Sequence, residues 1–293
     1  MKNNQRYISL DFGSFKEYGE PKEIVRMLKK SGFSAYDATM FTSGIMDSIL
    51  FSDDWQKKAK EFREYTDSLG IVCNQAHAPF ASARINNPEY NEWMFPRLVR
   101  AIEVSGILGA KIIVVHPCND WDAYENAKLY KKLEPFARKA NVKIGLENMW
   151  NCDGWGTPEF KAKKAACSHH EDFKAHLDLL PNDVFVACLD IGHAEMQGLG
   201  TSAVEMIETL GDRLQAIHLH DVDLINDNHQ MPFTQKVDFK IIIEALRRIN
   251  YQGDVTLETL YAVRAVPKEL LEPIAVYLAQ IANYFKNELD KED

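Results

Sequence analysis

Eight short apolar runs rich in β-branched residues divide the chain, and longer stretches with helical spacing separate them. The runs lie at 7–12, 33–40, 70–77, 110–116, 141–148, 183–190, 213–221 and 253–259. Parallel strands need long crossover connections, which helices usually supply. The alternation therefore predicts an α/β fold with a parallel sheet.

Eight such units match a closed (β/α)8 barrel, the TIM-barrel fold, with its outer helices and an active site at the carboxyl ends of the strands. An open doubly wound sheet is the alternative, but no G-x-G-x-x-G follows the first run. The 293 residues suit one barrel, and no linker or change of composition divides them. We therefore expect a single domain over 1–293.

The net charge and the cysteine pattern indicate which partners and which cellular compartment to expect. The net charge is −9, and an acidic surface repels phosphate backbones, so nucleic acid is an unlikely partner. The five cysteines include no C-x-x-C, which argues against a disulfide framework or a thiolate zinc site. Free thiols, no signal-like start and no membrane-length apolar run predict a cytoplasmic protein that does not contact membranes.

Six consecutive runs, from the third to the eighth, end in a histidine or a carboxylate. These residues are His77, His116, Glu147, Asp190, His218 with His220, and Glu258. In the fifth run Val142, Ile144 and Leu146 share one side and oppose Glu147, so the polar ends are expected to project into the barrel mouth. One such residue is as well explained by a structural hydrogen bond. Six together predict a divalent metal, because burying them without a cation is costly.

Seven motifs, in chain order, carry a resemblance to a known family. They are AHAPF (76–80), VVHP (114–117), GLEN (145–148), LDIGHA (189–194), IHLHDVD (217–223), DNHQMPF (227–233) and VTLET (255–259). The set resembles the xylose isomerase-like TIM-barrel superfamily, and within it the sugar phosphate isomerase/epimerase group. The resemblance implies one divalent metal (Zn, Mn, Mg or Co) held by Glu147, Asp190, His218 and Glu258. It also implies that Glu147 and Glu258 are the catalytic acid/base pair, and that His193 contacts substrate or a metal.

Endonuclease IV-type enzymes, a second branch of that superfamily, carry three zincs. The chain has a matching residue type at all nine of their ligand positions, which adds His77, His116, His193, Asp227 and His229 to the four above. We therefore predict that these five, with His220, bind further metal or substrate. The missing basic loops and the acidic surface argue against a phosphodiester substrate.

The leading hypothesis is a metal-dependent isomerase or epimerase of a ketose, polyol or sugar phosphate, which moves a proton between glutamates through an enediolate. Three alternatives stay open: a zinc-dependent phosphodiesterase at abasic DNA, a lyase or dehydratase on the same scaffold, and a non-enzymatic sugar sensor. The expected partner is a small sugar or polyol. The sequence leaves a homo-oligomer open.

Weaker substrate contacts are expected in the loops. A long segment, 148–168, follows the fifth run, and such loops are often functional. Trp150, Trp155 and Phe80 could stack on a sugar ring or simply pack their loops. Arg264, after the eighth run, is a candidate contact for a phosphate or carboxylate.

Overall fold

A ring of parallel strands forms the centre of the molecule. The computed structural model describes residues 6–41, 44, 46–154, 157, 159 and 161–291, and the strand and helix bounds below refer to these. The eight barrel strands are β1 Ile8–Leu10, β2 Ala35–Thr39, β3 Val72–His77, β4 Ile112–Val114, β5 Lys143–Glu147, β8 Phe185–Asp190, β9 Leu214–His218 and β10 Val255–Leu257. They coincide with the eight predicted runs.

The ring consists of a continuous ladder and a separate strand pair. Strands β2 to β5, β8 and β9 form one parallel sheet, while β1 pairs with β10. Single bridges join these two parts, Asp11 with Asp37 on one side and Leu219 with Leu257 on the other. The bridges close the barrel, and the predicted α/β TIM-barrel fold is confirmed.

Helices connect the strands around the outside. They are α1 Pro21–Ser31, α2 Asp47–Leu50, α3 Trp55–Leu69, α4 Pro88–Leu108, α5 Ala123–Ala140, α6 His170–Asp178, α7 Ile191–Ala194, α8 Ala203–Leu210, α9 Phe239–Arg248 and α10 Lys268–Leu289. Two short 3-10 helices lie at Phe12–Phe15 and Gly211–Arg213. Helix α1 illustrates how the sequence sets the ends of a helix. Pro21 starts it with a preset φ, and Gly32 ends it at φ 107°. Among the described residues, no helix is long and apolar enough to cross a membrane.

Alternation along the strands divides the apolar residues into two sets. Outward-facing side chains such as Ile113, Val115, Ile144 and Leu146 join the main core beneath the helices. A small separate cluster consists of alternate residues of β4 and β8, with Ala216 of β9 beside them. Its members are Ile112, Val114, Val186, Cys188 and Ala216. This plug fills part of the barrel interior, so the polar strand ends lie above an apolar floor.

The segment after β5 is more regular than a long loop. Strands β6 Asn151–Asp153 and β7 Lys161–Lys163 pair as an antiparallel ribbon within it. Met149 also donates its backbone N–H to Ala166 O at 3.1 Å. The ribbon holds the two ends of the segment together close to Glu147.

Candidate metal centre

Ten histidine and carboxylate side chains meet at the carboxyl ends of the strands. They form three groups, and within each group the ligand atoms lie within 4.8 Å of one another. The central group is Glu147, Asp190, His218 and Glu258; the first flanking group is His77, His116 and Glu147; the second flanking group is His193, His220, Asp227 and His229. All ten are residues that the sequence singled out, so the fold brings the predicted ligands together.

The central group surrounds one face of His218. The Nδ1 atom of His218 lies 3.1 Å from Glu147 Oε1 and 3.0 Å from Glu258 Oε2. Glu147, Asp190 and His218 are almost completely buried, and Glu258 is 5% exposed. Strands β5 and β10 thus bring two glutamates to a single imidazole nitrogen.

The first flanking group shares Glu147 with the central group. The Nε2 atoms of His77 and His116 lie 2.9 Å apart. Glu147 Oε2 is 3.0 Å from Nε2 of His116 and 3.4 Å from Nε2 of His77. One carboxylate therefore faces His218 with one oxygen and this histidine pair with the other.

The second flanking group is built around Asp227. Its Oδ1 lies 3.0 Å from Nε2 of His229, and its Oδ2 lies 3.3 Å from Nε2 of His193. The rings of His220 and His229 stack with centroids 3.8 Å apart. His220 also contacts Asp190, so this group adjoins the central one.

Backbone carbonyls orient three of these histidines. The Nδ1 atoms of His77, His193 and His229 lie 2.9–3.0 Å from the carbonyl oxygens of Ala78, Asn148 and Glu258 respectively. With the Nδ1 proton donated to the carbonyl, Nε2 presents its lone pair to the group. A second hydrogen bond of this kind fixes the tautomer of metal-ligating histidines.

Two carboxylate oxygens that face these nitrogens bear on whether the residues could hold a metal ion. Glu147 Oε2 and Asp227 Oδ1 are buried and, within the described part of the chain, accept no hydrogen bond of acceptable geometry. Each nevertheless faces histidine nitrogens at about 3 Å. A cation shared between nitrogen and oxygen would satisfy both sets of lone pairs. Imidazole and carboxylate ligands without thiolate suit zinc, manganese or cobalt, so the residues fit a divalent metal.

Protonated histidines balance the carboxylates when no cation is bound. Burial lowers the pKa of His229, but the Asp227 carboxylate more than offsets this and raises the pKa to about 9. Burial likewise opposes the charge on His193, while Asp190 and Asp227 hold its pKa well above the usual range. Burial raises the pKa of Glu147, but His218 and His116 bring it well below the usual range. The protons occupy the same groups that a metal would occupy.

Asn148 and Asp221 support the centre, and the sequence did not single out either as functional. The Asn148 amide donates to Asp190 O at 2.9 Å, and its Oδ1 accepts the Asp190 backbone N–H at 2.8 Å. The buried Asp221 carboxylate accepts backbone N–H groups of residues 222, 234, 235 and 237, which shapes the loop that carries Asp227 and His229. Their positions directly after Glu147 and His220 were the available clue.

A cavity of about 600 Å³ opens at the same end of the barrel. Phe80, Tyr261 and Arg264 line it, and Phe80 is 45% exposed with its ring 5.3 Å from that of His116. Trp150 is half-buried and packs against the main core, which agrees with a role in packing the loop. Trp155 lies outside the described residues.

A closed barrel with clustered histidines and carboxylates at its carboxyl ends defines a TIM-barrel protein with a candidate divalent-metal centre. Residues 25–280 match the family model described as xylose isomerase-like TIM barrel, and the chain belongs to this family. An uncharacterized protein of Methanocaldococcus jannaschii is 29% identical over 232 residues, which cover 74% of each chain.

Two solved structures share the fold at low sequence identity. A D-tagatose 3-epimerase-like protein superposes with a TM-score of 0.74 at 19% identity, over 97% of this chain and 98% of its own. The D-psicose 3-epimerase of Clostridium cellulolyticum H10, solved with D-tagatose, gives a TM-score of 0.74 at 14% identity, over 95% and 99%. Both structures therefore share the barrel fold with this chain over nearly its full length.

Proposed function

We propose that the protein is a divalent-metal-dependent isomerase or epimerase of a small ketose, polyol or sugar phosphate. The observation that carries the proposal is the pair Glu147 and Glu258, which approach one nitrogen of His218 from two strands at 3.1 and 3.0 Å. Two carboxylates in one centre can remove a proton from a substrate carbon and return one. The family and the sugar epimerases among its structural neighbours support this choice.

Glu147, Asp190, His218 and Glu258 would hold the metal. A bound divalent ion supplies Lewis-acid polarisation of a substrate carbonyl. The side chains of the protein perform the proton transfers. One glutamate takes the proton from the carbon next to the carbonyl, which leaves an enediolate. The other glutamate rests ionised, so it first takes up a proton from solvent and then gives that proton to the enediolate.

The electrostatics of the centre suit both glutamates to act as bases. Burial raises the pKa of Glu258, but the adjacent His218 brings it well below the usual range, as it does for Glu147. Both groups are therefore ionised near neutral pH. Return of the proton to the opposite face of the same carbon gives an epimer, and return to the neighbouring carbon gives an isomer.

The adjoining cavity would receive the rest of the substrate. Its volume of about 600 Å³ is within the range of small-molecule sites. Phe80 and Tyr261 are partly exposed along its wall, and aromatic faces of this kind stack on sugar rings. The exposed Arg264 would contact an anionic group of the substrate where one is present.

Hydrogen exchange tests the proposal. The metal-loaded protein is incubated in deuterated water with a panel of ketoses and ketose phosphates, and carbon-bound deuterium is followed by NMR. Glu147→Gln and Glu258→Gln should each reduce exchange by a factor of about 10²–10⁴, the usual contribution of an acid or base. Glu195→Gln, which keeps an acceptor for the Ala203 N–H, is the matched control. The mechanism is wrong if both active-site variants exchange at the wild-type rate.

Phosphodiester hydrolysis at abasic DNA is the second candidate. The two flanking groups favour it, because the ligands could hold three metals. The net charge of −9 opposes it. Elemental analysis, together with a nicking assay on abasic duplex in zinc, separates the two. One metal per chain and no nicking favours the isomerase, while three zincs with nicking favours the nuclease.

A further inference from the structure

A buried polar pair lies behind His218, on the side away from the two glutamates. Nε2 of His218 is 2.8 Å from Nε2 of Gln75 and 3.7 Å from Oδ2 of Asp37. Gln75 donates to the same Asp37 oxygen at 2.8 Å. Gln75 is 3% exposed and Asp37 is 1% exposed, so both residues are almost completely buried.

The pair crosses the barrel interior to reach this ring. Asp37 is on β2 and Gln75 is on β3, whereas His218 is at the end of β9. A register shift at Asn74 aligns Asp37 with Gln75 as neighbours. Without this bulge the inward position of β3 would differ, because one residue of slip exchanges the two faces of a strand.

This contact matters because it determines which nitrogen of the His218 ring carries the proton. A neutral imidazole that binds a cation through Nδ1 must carry its proton on Nε2. That proton then needs an acceptor, because leaving a buried donor unpaired costs about 1–3 kcal/mol. Gln75 is the nearest candidate, because exchange of its amide oxygen and nitrogen would place the carbonyl oxygen 2.8 Å from Nε2, in place of its hydrogen bond to Asp37. The Asp37 carboxylate is the second candidate, since its Oδ2 lies 3.7 Å from Nε2 and a small movement of the side chain brings it into hydrogen-bond distance.

Cys188 is the other polar neighbour of His218, and it does not replace the pair. Burial raises the pKa of this thiol to about 12, so it stays protonated and is only a weak acceptor. Glu147 and Glu258 lie on the Nδ1 side of the ring. Among the described residues, Gln75 and Asp37 are therefore the acceptors within reach of Nε2.

We propose that Gln75 and Asp37 are positioning residues that accept the Nε2 proton of His218 and hold its Nδ1 toward the divalent ion. This inference rests on the proposed function, since it assumes a metal in the central group. It assigns a role to two buried polar residues that neither bind the metal nor touch the substrate. It also explains why a glutamine and an aspartate lie inside a barrel whose floor is apolar.

The test is zinc affinity, measured by competition with a chromophoric chelator. The zinc-binding event that is lost in His218→Ala is assigned to the central group. Gln75→Leu and Asp37→Asn should weaken that event by about 10–100-fold, the usual effect of removing a partner of a metal-binding histidine. Gln75→Glu, which keeps an acceptor, should stay within about 3-fold of wild type on the same scale.

Ser9→Ala is the matched control, because Ser9 is also buried inside the barrel and bonds to Thr256 rather than to the centre. Its zinc affinity should equal that of wild type. Unchanged affinity in both Gln75→Leu and Asp37→Asn, with thermal unfolding near that of wild type, overturns the proposal, as does an equal loss in Ser9→Ala. A wild-type protein that takes up no zinc, manganese or cobalt overturns the metal centre itself, and the same titration reports that result separately.

Discussion

Asp190 directs both of its carboxylate oxygens at one histidine: His220 Nε2 lies 2.8 Å from Oδ1 and 2.9 Å from Oδ2. His218, two residues earlier on the same side of the strand, instead faces Glu147 and Glu258. The two histidines of the motif therefore serve different groups. His218 belongs to the central group, while His220 links Asp190 to the second flanking group.

Removing each histidine should remove a different ion. His218→Ala should lose the metal of the central group, whereas His220→Ala should keep it and lose binding in the second flanking group. Elemental analysis of the two purified variants, after equal exposure to zinc, measures the difference. Equal losses in both would show that the groups are not separate.

Gly192→Ala should disturb the second flanking group without replacing any of its four residues. A Cβ at this position would overlap the imidazole of His220, which is buried and stacked on His229 and so has little freedom to move. Overpacking of this kind costs about 1–3 kcal/mol. Calorimetric unfolding should show the loss, and zinc titration should show weaker binding in this group. Because φ at Gly192 lies outside the left-handed region, backbone strain does not contribute to the effect.

Metal binding should strengthen as the pH rises toward 9. The pKa of His229 is raised to about 9 by Asp227, so a metal must displace a proton there at neutral pH. In the metal-free protein the same raised pKa gives stability that is complete below the unfolded value of 6.5 and is lost as the pH rises through 9. Calorimetry in buffers of different ionisation enthalpy counts the released protons. A metal affinity that does not change between about pH 6 and pH 9 contradicts this prediction.

Asp11→Asn should stabilise the metal-free protein at alkaline pH. Burial, followed by the Glu258 and Asp37 carboxylates, raises the pKa of Asp11 to about 7. The neutral carboxyl gives stability that is complete below 3.8 and is lost as the pH rises through 7. At about pH 8.5 the variant should gain on the order of 4 kcal/mol over wild type, at about pH 5.5 roughly half as much, and the gain should vanish below 3.8.

Asparagine can still accept the Gly13 N–H that Asp11 accepts at 2.9 Å, so the fold of the turn should survive. Urea unfolding at the two pH values measures the change. The surface variant Glu89→Gln should show the same stability difference from wild type at both. A gain at Asp11→Asn that does not depend on pH would mean that Asp11 is already neutral or already ionised throughout.

The strand positions and the ligand residues could be predicted because both follow short-range rules. Alternation fixes which side of a strand a residue occupies, and residues at the carboxyl ends of parallel strands meet at one end of the barrel. This reasoning places Glu147, Asp190, His218 and Glu258 at the barrel mouth, and the family resemblance implies that the four belong to one group. The sequence could not show how the ligands are divided into three groups, because that division depends on distances between side chains of different strands.

The residues that the sequence missed depend on tertiary detail. Gln75 faces His218 only because a bulge at Asn74 sets the register of β3, and no local pattern predicts a bulge there. Asp221 follows two histidines of the centre, and its carboxylate accepts hydrogen bonds from the backbone of the next loop, a role that depends on how that loop folds. The sequence predicts a long loop over 148–168. The pairing of β6 with β7 within it is seen only in the three-dimensional structure.

The pairing of β1 with β10 sets an order of events during synthesis of the chain. Strand β1 is synthesised before the other barrel strands, but its ladder partner β10, Val255–Leu257, is synthesised after all of them. Glu258 follows that strand directly, so the second glutamate arrives with the strand that closes the ring. The central group therefore cannot be completed until β10 has been synthesised, even though β2 to β9 and their histidines precede it in the chain.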